Sequence, residues 1–276
     1  MSTLDNPAQS SGIWGPVTAV INFCEDDYQV TSYIAEFINT LTNIGYVYYG
    51  LCGLTVNWRR KPFADFNCQY LALIFVGIGS GAYHMSMKRS MEAVDQMSML
   101  IGAAIVLHRV VTFDRSRGRV PLGIGLTVVL AVVFWIQQTL AMPIIHFATF
   151  AGLLLVIFLR VLGLIRSTVK DEDARKQLRS LALWGYITFS LGFIFWMIDV
   201  HCCSKLKTVR SQVGLPWAWV FEFHGWWHLF TGAGVYLYMV LVEYLHLNSM
   251  QDGYVFETAW PAILRTPVVQ RDKRRE

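Results

Sequence analysis

The sequence predicts an all-α integral membrane protein, a bundle of seven transmembrane helices. Hydrophobic residues make up 54% of the 276-residue chain, and its mean hydropathy is +0.41. Only 15% of the residues are charged, whereas a soluble domain has about 25%. Seven apolar stretches are also long enough to cross a bilayer, which requires about 20 residues each. Most of the protein surface is therefore expected to face lipid.

The apolar stretches are separated by polar, mostly charged breaks, of which 57–62, 114–119 and 170–176 are the clearest. In chain order the predicted spans are Tyr33–Thr55, Phe66–Met87, Ala93–Thr112, Val120–Thr139, Pro143–Ile165, Leu181–Val200 and Trp217–Leu245. We divide the chain into a lumenal N-terminal segment (1–30), a seven-helix transmembrane domain (31–246), where any catalytic site is expected, and a basic cytosolic tail (247–276). The first segment lacks the basic start and apolar run of a signal peptide. The first span is thus expected to direct the chain to the membrane.

The distribution of basic residues predicts the orientation. If the N-terminus is lumenal, eighteen of the 23 Lys and Arg residues fall on the cytosolic side. Lys and Arg are enriched in cytosolic loops, so the N-terminus is predicted to be lumenal and the C-terminus cytosolic. The net charge of +4 is mild, and no nucleic-acid recognition motif is present. We expect no nucleic-acid partner.

The five cysteines contain no CxxC pair, which argues against a cysteine zinc site or a redox motif. The predicted topology puts Cys24, Cys202 and Cys203 on the oxidising lumenal side. A bridge from Cys24 to Cys202 or Cys203 is chemically permitted there. The alternative is that all three are free buried thiols.

Histidines within the predicted spans are the strongest indication of function, because ionisable residues are costly inside a membrane. His84 lies near the end of the second span. His224 and His228 lie four residues apart in the last span, on one helix face. The topology brings all three to the lumenal side. Three imidazoles leave a tetrahedral zinc ion one open position, as in catalytic sites. The alternatives are hydrogen bonds between helices or, for the pair in the last span, haem ligation.

Asp95 and Ser80 lie at the same predicted depth as these histidines. A carboxylate there could accept a proton from water and pass it to a leaving group, and a hydroxyl could stabilise an oxyanion. The set indicates hydrolysis of an amide or ester. Alternatively, Asp95 lies among lipid headgroups and Ser80 permits close helix contact. The remaining histidines are interpreted as interfacial or packing residues: His108, His146, His201 and His246.

An acidic cluster precedes the first span and contains Asn22, Glu25, Asp27 and Glu36. Calcium takes six to eight oxygen ligands from such groups. Negative charge also stabilises a helix N-terminus. From the residues alone, we favour an acidic turn that caps a helix.

Several motifs occur in an order that resembles one known family. They are Trp14-Gly15-Pro16, Cys24-Glu25, Tyr33-Ile34-Ala35-Glu36-Phe37, Gly77-Ile78-Gly79-Ser80, Tyr83-His84-Met85, Asp95, Phe195-Trp196-Met197-Ile198-Asp199, Phe223-His224-Gly225-Trp226-Trp227-His228 and Thr231-Gly232. From Gly12 to Gly234 the chain is similar to the alkaline ceramidases. These are seven-helix intramembrane amidases of the endoplasmic reticulum and Golgi, in a superfamily that includes the adiponectin-type receptors.

The resemblance implies a complete site. It implies zinc on His84, His224 and His228, with Ser80 and Asp95 beside the reacting water. It implies calcium on Asn22, the backbone carbonyl of Phe23, Glu25, Asp27 and Glu36, and a disulfide between Cys24 and Cys203. The implied substrate is ceramide, phytoceramide or dihydroceramide, taken from the membrane lipids and cleaved to a sphingoid base and a fatty acid. No obligate protein partner is implied.

The chain departs from the family pattern at four places. Asn22-Phe23 replaces Asp-Trp and Asp27 replaces Asn, an exchange that keeps the charge of the calcium site. Tyr83-His84-Met85-Ser86 replaces Phe-His-Met-Thr. Gln96-Met97-Ser98 follows Asp95 in place of Glu-Leu-Pro. These changes keep the metal and proton-transfer groups and bear on substrate preference.

Two other classes of protein share parts of the pattern. A non-catalytic seven-helix receptor or scaffold could keep a structural metal on the same histidines. A proton-coupled transporter is disfavoured, because its ionisable residues should extend across the membrane, whereas these gather on one side.

Overall fold

The structure is a computed structural model that describes residues 12–60, 67–113, 118–250, 254–257 and 268–271. Its elements in chain order are α1 (Phe37–Thr42), α2 (Ile44–Arg60), α3 (Asn67–Ser86), α4 (Arg89–Val111), α5 (Arg119–Leu140), α6 (Pro143–Thr168), α7 (Glu172–Val213), a 3₁₀ helix (Trp217–Phe221), α8 (Phe223–Met250), β1 (Tyr254–Glu257) and β2 (Val268–Arg271).

The all-α membrane bundle is confirmed, and each predicted span coincides with a helical segment. Five helices of the described part, α4 to α8, are long and apolar enough to cross a membrane. The first predicted span consists of α1 and α2, which meet at Asn43. Together with α3, they complete the seven helical segments.

The sixth predicted span is much shorter than the helix that contains it. Helix α7 extends over 42 residues, because its charged ends continue the helix beyond the apolar stretch Leu181–Val200. Asp171 caps its start by accepting a hydrogen bond from the backbone N–H of Ala174 at 2.9 Å. At Cys202 the backbone leaves helical geometry (φ −116°, ψ 17°), so two helical segments meet at a kink.

The C-terminal region contains a short hairpin that the sequence reading did not predict. Strands β1 and β2 pair antiparallel, with Tyr254 opposite Arg271. The rest of the predicted basic tail beyond α8 lies outside the described residues, as do Lys61 and residues 114–117, three of which are charged.

Close packing joins α7 to α8, and glycines permit it. A Cβ on Gly234 would lie 2.9 Å from the carbonyl oxygen of Gly185 and 3.0 Å from the backbone nitrogen of Phe189. A Cβ on Gly192 would lie 3.0 Å from Thr231. Small residues at helix contacts let membrane helices approach closely. This interface sets the position of α8, which carries two of the predicted ligands.

The N-terminal segment covers the end of the bundle where α3 ends and α8 begins. Thr18 and Ala19 donate backbone hydrogen bonds to the carbonyl of Met87. Further along, Glu36 donates its backbone N–H to the carbonyl of His84 at 3.0 Å. Cys24 donates its backbone N–H to the Asp199 carboxylate at 3.0 Å. The segment therefore closes this end of the bundle over His84.

Candidate metal centre

The three predicted zinc ligands converge. His84 lies in the last turn of α3, His224 in the first turn of α8, and His228 one turn further along α8. One ring nitrogen of each lies within 4.8 Å of the others, and all three side chains are buried. The three histidines are positioned to hold a metal ion.

Two of the rings are oriented by hydrogen bonds. Nδ1 of His84 lies 2.5 Å from Oε2 of Glu36, and Nδ1 of His228 lies 2.9 Å from Oγ1 of Thr42. Both contacts involve Nδ1 and so leave Nε2 as the nitrogen for a metal. Partners of this kind fix the tautomer and orientation of metal-binding histidines.

The surroundings of the third ring, that of His224, fit a bound cation. Nδ1 of His224 is buried and has no hydrogen-bond partner among the described residues. Buried polar atoms normally have a partner, and a metal ion would supply a role for this imidazole. Phe23 stacks on the ring with centroids 3.6 Å apart. The backbone N–H of His224 donates to Asp199 at 3.3 Å, which ties α8 to α7.

Ser80 and Asp95, which the sequence predicts to act beside the metal, lie near His224 and His228. The Ser80 hydroxyl is close enough to the Asp95 carboxylate to interact with it. Both line a small cavity of about 50 Å³ together with His224 and His228. Ser80 lies one helical turn before His84 on α3, whereas Asp95 comes from α4. The structure thus brings a hydroxyl, a carboxylate and the three imidazoles together.

An apolar chamber of about 360 Å³ adjoins the small cavity. The two share four lining residues, Tyr46, Val76, Met99 and Trp227. Residues of α2, α3, α4, α6, α7 and α8 form its walls, which are almost entirely aliphatic and aromatic. The chamber can accommodate hydrocarbon, and it adjoins the cavity that His224 and His228 line.

One part of the acidic cluster caps the start of helix α1. The other part offers carboxylate oxygens that could bind a cation. The two carboxylate oxygens of Glu25 accept the backbone N–H groups of Ile38 and Asn39 at 2.7 and 2.8 Å. Burial raises the pKa of Glu25 to about 8. This contact supports the helix-capping interpretation for Glu25.

The other predicted calcium ligands lie around Glu36. Its Oε1 accepts the backbone N–H of Phe23 at 3.2 Å, and the amide of Asn22 donates to Oδ2 of Asp27 at 3.4 Å. Oδ1 of Asp27 is buried with no hydrogen-bond partner among the described residues, and burial raises the pKa of this carboxyl. Within the described part, the histidine cluster is the only convergent group of three or more His, Cys, Asp or Glu side chains.

A disulfide joins Cys24 to Cys203, with Cα atoms 5.3 Å apart. This is the pair that the resemblance implied, and Cys202 is a free thiol. Arg210 lies alongside: it donates to the Cys24 carbonyl at 2.7 Å and pairs with Glu222. The bridge therefore holds the N-terminal segment against α7, close to the centre.

Three polar residues of the small cavity were not predicted from the sequence. His146, interpreted as a packing or interfacial residue, lines it together with Glu92 and Gln96. Nothing in the spacing of His146 distinguishes it from other histidines. Only the fold shows that α6 approaches Asp95 at this point.

A membrane helix bundle with a buried three-histidine centre and a nearby apolar chamber defines a class, the intramembrane metal-site proteins. Comparison with known proteins narrows that class. The sequence model of the Ceramidase family matches residues 15–270. The chain belongs to the ceramidase family, and the prediction that it is an enzyme of that family is confirmed.

Individual relatives match over nearly the whole chain. Alkaline ceramidase 3 of Mus musculus is 28% identical over 261 residues, which cover 93% of this chain and 96% of the relative. Alkaline ceramidase YPC1 of Saccharomyces cerevisiae is 29% identical and covers 90% of this chain and 83% of its own. An alkaline ceramidase of Arabidopsis thaliana is 25% identical, with 82% and 83% coverage.

Proposed function

We propose that this protein is a zinc-dependent ceramidase that cleaves the amide bond of ceramide, phytoceramide or dihydroceramide within the membrane. The products are a sphingoid base and a fatty acid. One observation supports this most strongly: Asp95, Ser80 and two of the three clustered histidines, His224 and His228, line one cavity that adjoins an apolar chamber. The family match supplies the substrate class.

Zinc is the metal that this donor set fits best. Three neutral imidazoles with Glu36 behind one of them match the ligands of catalytic zinc sites. When bound, zinc would supply a Lewis acid for the amide carbonyl and lower the pKa of the attacking water. The ligands would be His84, His224 and His228.

Asp95 would carry the proton. In amide hydrolysis a C–O bond forms to water and the C–N bond breaks, so one proton must move from the water to the departing nitrogen. Asp95 is the carboxylate in the cavity that also contacts Ser80, and it would accept this proton and deliver it. Ser80 would orient Asp95 before reaction and donate a hydrogen bond to the oxyanion as it forms.

The apolar chamber would hold the lipid chains. Its volume and lining suit hydrocarbon, and a substrate that fills it would exclude bulk water from the reacting amide. The substrate would therefore enter from the bilayer, with its amide at the junction of chamber and cavity.

We further propose that calcium binds at Asn22, the Phe23 carbonyl, Glu25, Asp27 and Glu36. The unpaired Oδ1 of Asp27 and the other carboxylates suit a hard cation. Glu36 contacts His84 directly, so calcium would fix the orientation of a zinc ligand. Endoplasmic reticulum or Golgi membranes are the proposed location, with the N-terminus in the lumen.

The decisive experiment replaces one ligand. His224→Ala should lose zinc and ceramide hydrolysis while the bundle stays folded, whereas His201→Ala, an exposed histidine on α7, should keep both. Zinc per chain and released sphingoid base are the measurements. A His224→Ala protein with wild-type hydrolysis contradicts the proposal. Wild-type protein that binds zinc but releases no base from ceramide would instead favour a non-catalytic receptor or scaffold.

A further inference from the structure

A set of polar side chains that the proposed reaction does not use lines the cavity beside Asp95. His146 on α6 and Glu92 and Gln96 on α4 line the same space of about 50 Å³. All three are buried, with exposed fractions of 1%, 4% and 6%. Charged and amide groups inside a membrane bundle are costly unless they have a purpose.

His146 is the unpaired member of this set. Neither Nδ1 nor Nε2 has a hydrogen-bond partner among the described residues. Its ring is stacked on Phe150, with centroids 6.0 Å apart and planes 6° from parallel. A phenylalanine could fill that space equally well. Because an unpaired buried nitrogen destabilises the fold, an imidazole here indicates a ligand that completes its hydrogen bonds.

Hydrogen bonds from other parts of the chain hold Gln96 and Glu92, on the neighbouring wall of the cavity, in place. Oε1 of Gln96 accepts hydrogen bonds from Gln137 at 2.5 Å and Gln138 at 3.0 Å, both on α5. Nε2 of Gln96 donates to Glu92 at 3.3 Å, and Glu92 accepts the backbone N–H of Val20 at 2.7 Å. Groups fixed in this way are preorganised for a ligand, which reduces the entropy lost on binding.

We propose that His146, Glu92 and Gln96 form a pocket for a hydroxyl group of the sphingoid base, with His146 as its direct hydrogen-bond partner. The hydroxyl would be one of the two that flank the carbon bearing the amide nitrogen. This inference rests on the proposed ceramidase function and extends it, because it makes His146 a specificity-determining residue.

The chemistry of the cavity favours a neutral hydroxyl over other groups. A hydroxyl both donates and accepts a hydrogen bond, as does a neutral imidazole. The cavity is too small for a hydrocarbon chain, for which the adjoining chamber has room. Among the described residues that line the cavity there is no Lys or Arg, whereas Glu92 is one of them. A phosphorylated headgroup would therefore lack a counter-charge and would be repelled.

The test compares three amides with the same acyl chain: ceramide, an analogue without the C1 hydroxyl and an analogue without the C3 hydroxyl. The kcat/KM of each is measured for the full-length, zinc-loaded wild type and for His146→Phe, His146→Gln and His201→Phe. Zinc content and thermal unfolding check that each variant is folded. If His146→Phe cannot be purified, His146→Leu takes its place.

Wild type should prefer ceramide over one analogue by about tenfold or more, since a site built to bind a hydroxyl discriminates strongly against its absence. His146→Phe should remove most of that preference by losing activity on ceramide while retaining activity on that analogue. His146→Gln, which can still donate and accept, should keep part of it, and His201→Phe should keep all of it.

Two results would overturn the inference: a wild type with no preference, or a His146→Phe protein that loses activity equally on all three amides. The second result would show that His146 is only structural. If wild type cleaves none of the three amides, the ceramidase proposal itself fails, and the hydroxyl pocket fails with it.

Discussion

Asp95 is the residue whose chemistry the proposed proton transfer requires. Asp95→Asn removes the proton acceptor but keeps the size and the hydrogen-bonding reach of the side chain. We expect ceramide hydrolysis to fall by about 10²- to 10⁴-fold, the contribution of general acid–base catalysis. Zinc content should be unchanged, because Asp95 is not among the three converging ligands.

The control for this change is Asp173→Asn, the same substitution at an exposed carboxylate in the first turn of α7. It should retain wild-type kcat/KM for ceramide. Full activity in the Asp95→Asn protein would exclude Asp95 from proton transfer and leave another group, such as Glu92, to be tested.

Asn22 provides a test of the calcium proposal that leaves the charge of the cluster unchanged. Wild-type protein should gain several degrees in Tm when calcium is added after chelation, because binding to the native state stabilises it. Asn22→Ala removes one proposed oxygen ligand and should reduce that gain. Magnesium, which requires stricter octahedral geometry, serves as the control ion. Equal gains in both proteins would argue that Asn22 does not bind calcium.

At the level of single residues, the sequence predicted which side chains form the site but not which residues hydrogen-bond to them. The spacing of His224 and His228 puts them on one helix face, and the topology brings His84 to the same depth, so the cluster could be predicted. The contacts of Glu36 with His84 and of Thr42 with His228 could not. They depend on how α1 lies against α3 and α8, which no local pattern encodes. His146 was missed for the same reason.

Helices α7 and α8 depend on glycine for their close approach, which gives a prediction at the level of the element. A methyl group on Gly234 would meet backbone atoms of Gly185 and Phe189 at 2.9–3.0 Å, and backbone cannot move aside as a side chain can. Gly234→Ala should therefore destabilise the protein by about 1–3 kcal/mol, the usual cost of overpacking, and lower its Tm in detergent.

Gly152→Ala on α6 is the matched control. Among the described residues, no atom outside the local backbone of α6 lies within 4 Å of the added methyl group, so the intrinsic preference of alanine for helices should leave Tm unchanged or raise it. If Gly234→Ala also leaves Tm unchanged or raises it, the glycine contact does not determine the spacing of α7 and α8.

The helices themselves followed from hydropathy, but two of their features did not. The predicted sixth span ended at Val200 with its apolar stretch, yet α7 continues to Val213 because a helix needs no apolar residues once it leaves the bilayer. The division of the first span at Asn43 is likewise a backbone feature within an apolar stretch. Hydropathy reports the environment of a segment and gives little information on where its helix begins or ends.

At the level of the whole molecule, the family match, the helix bundle and the candidate metal centre all indicate a membrane enzyme. Its N-terminal segment closes one end of the bundle. That segment reaches α7 through the Cys24–Cys203 disulfide and α3 through backbone hydrogen bonds. The site therefore depends on parts of the chain far apart in sequence. The disulfide also bears on the orientation, because such bonds persist in oxidising compartments.

The predicted orientation can be tested in sealed microsomes from cells that express the full chain. Since most Lys and Arg residues are predicted to face the cytosol, a protease added outside should remove a C-terminal epitope tag. An N-terminal tag should be protected until detergent opens the vesicles. Under non-reducing conditions, the Cys24–Cys203 bridge should block maleimide labelling of both cysteines, and reduction should expose them. Cleavage of the N-terminal tag in intact vesicles would reverse the topology and place the disulfide and the histidine cluster on the cytosolic side.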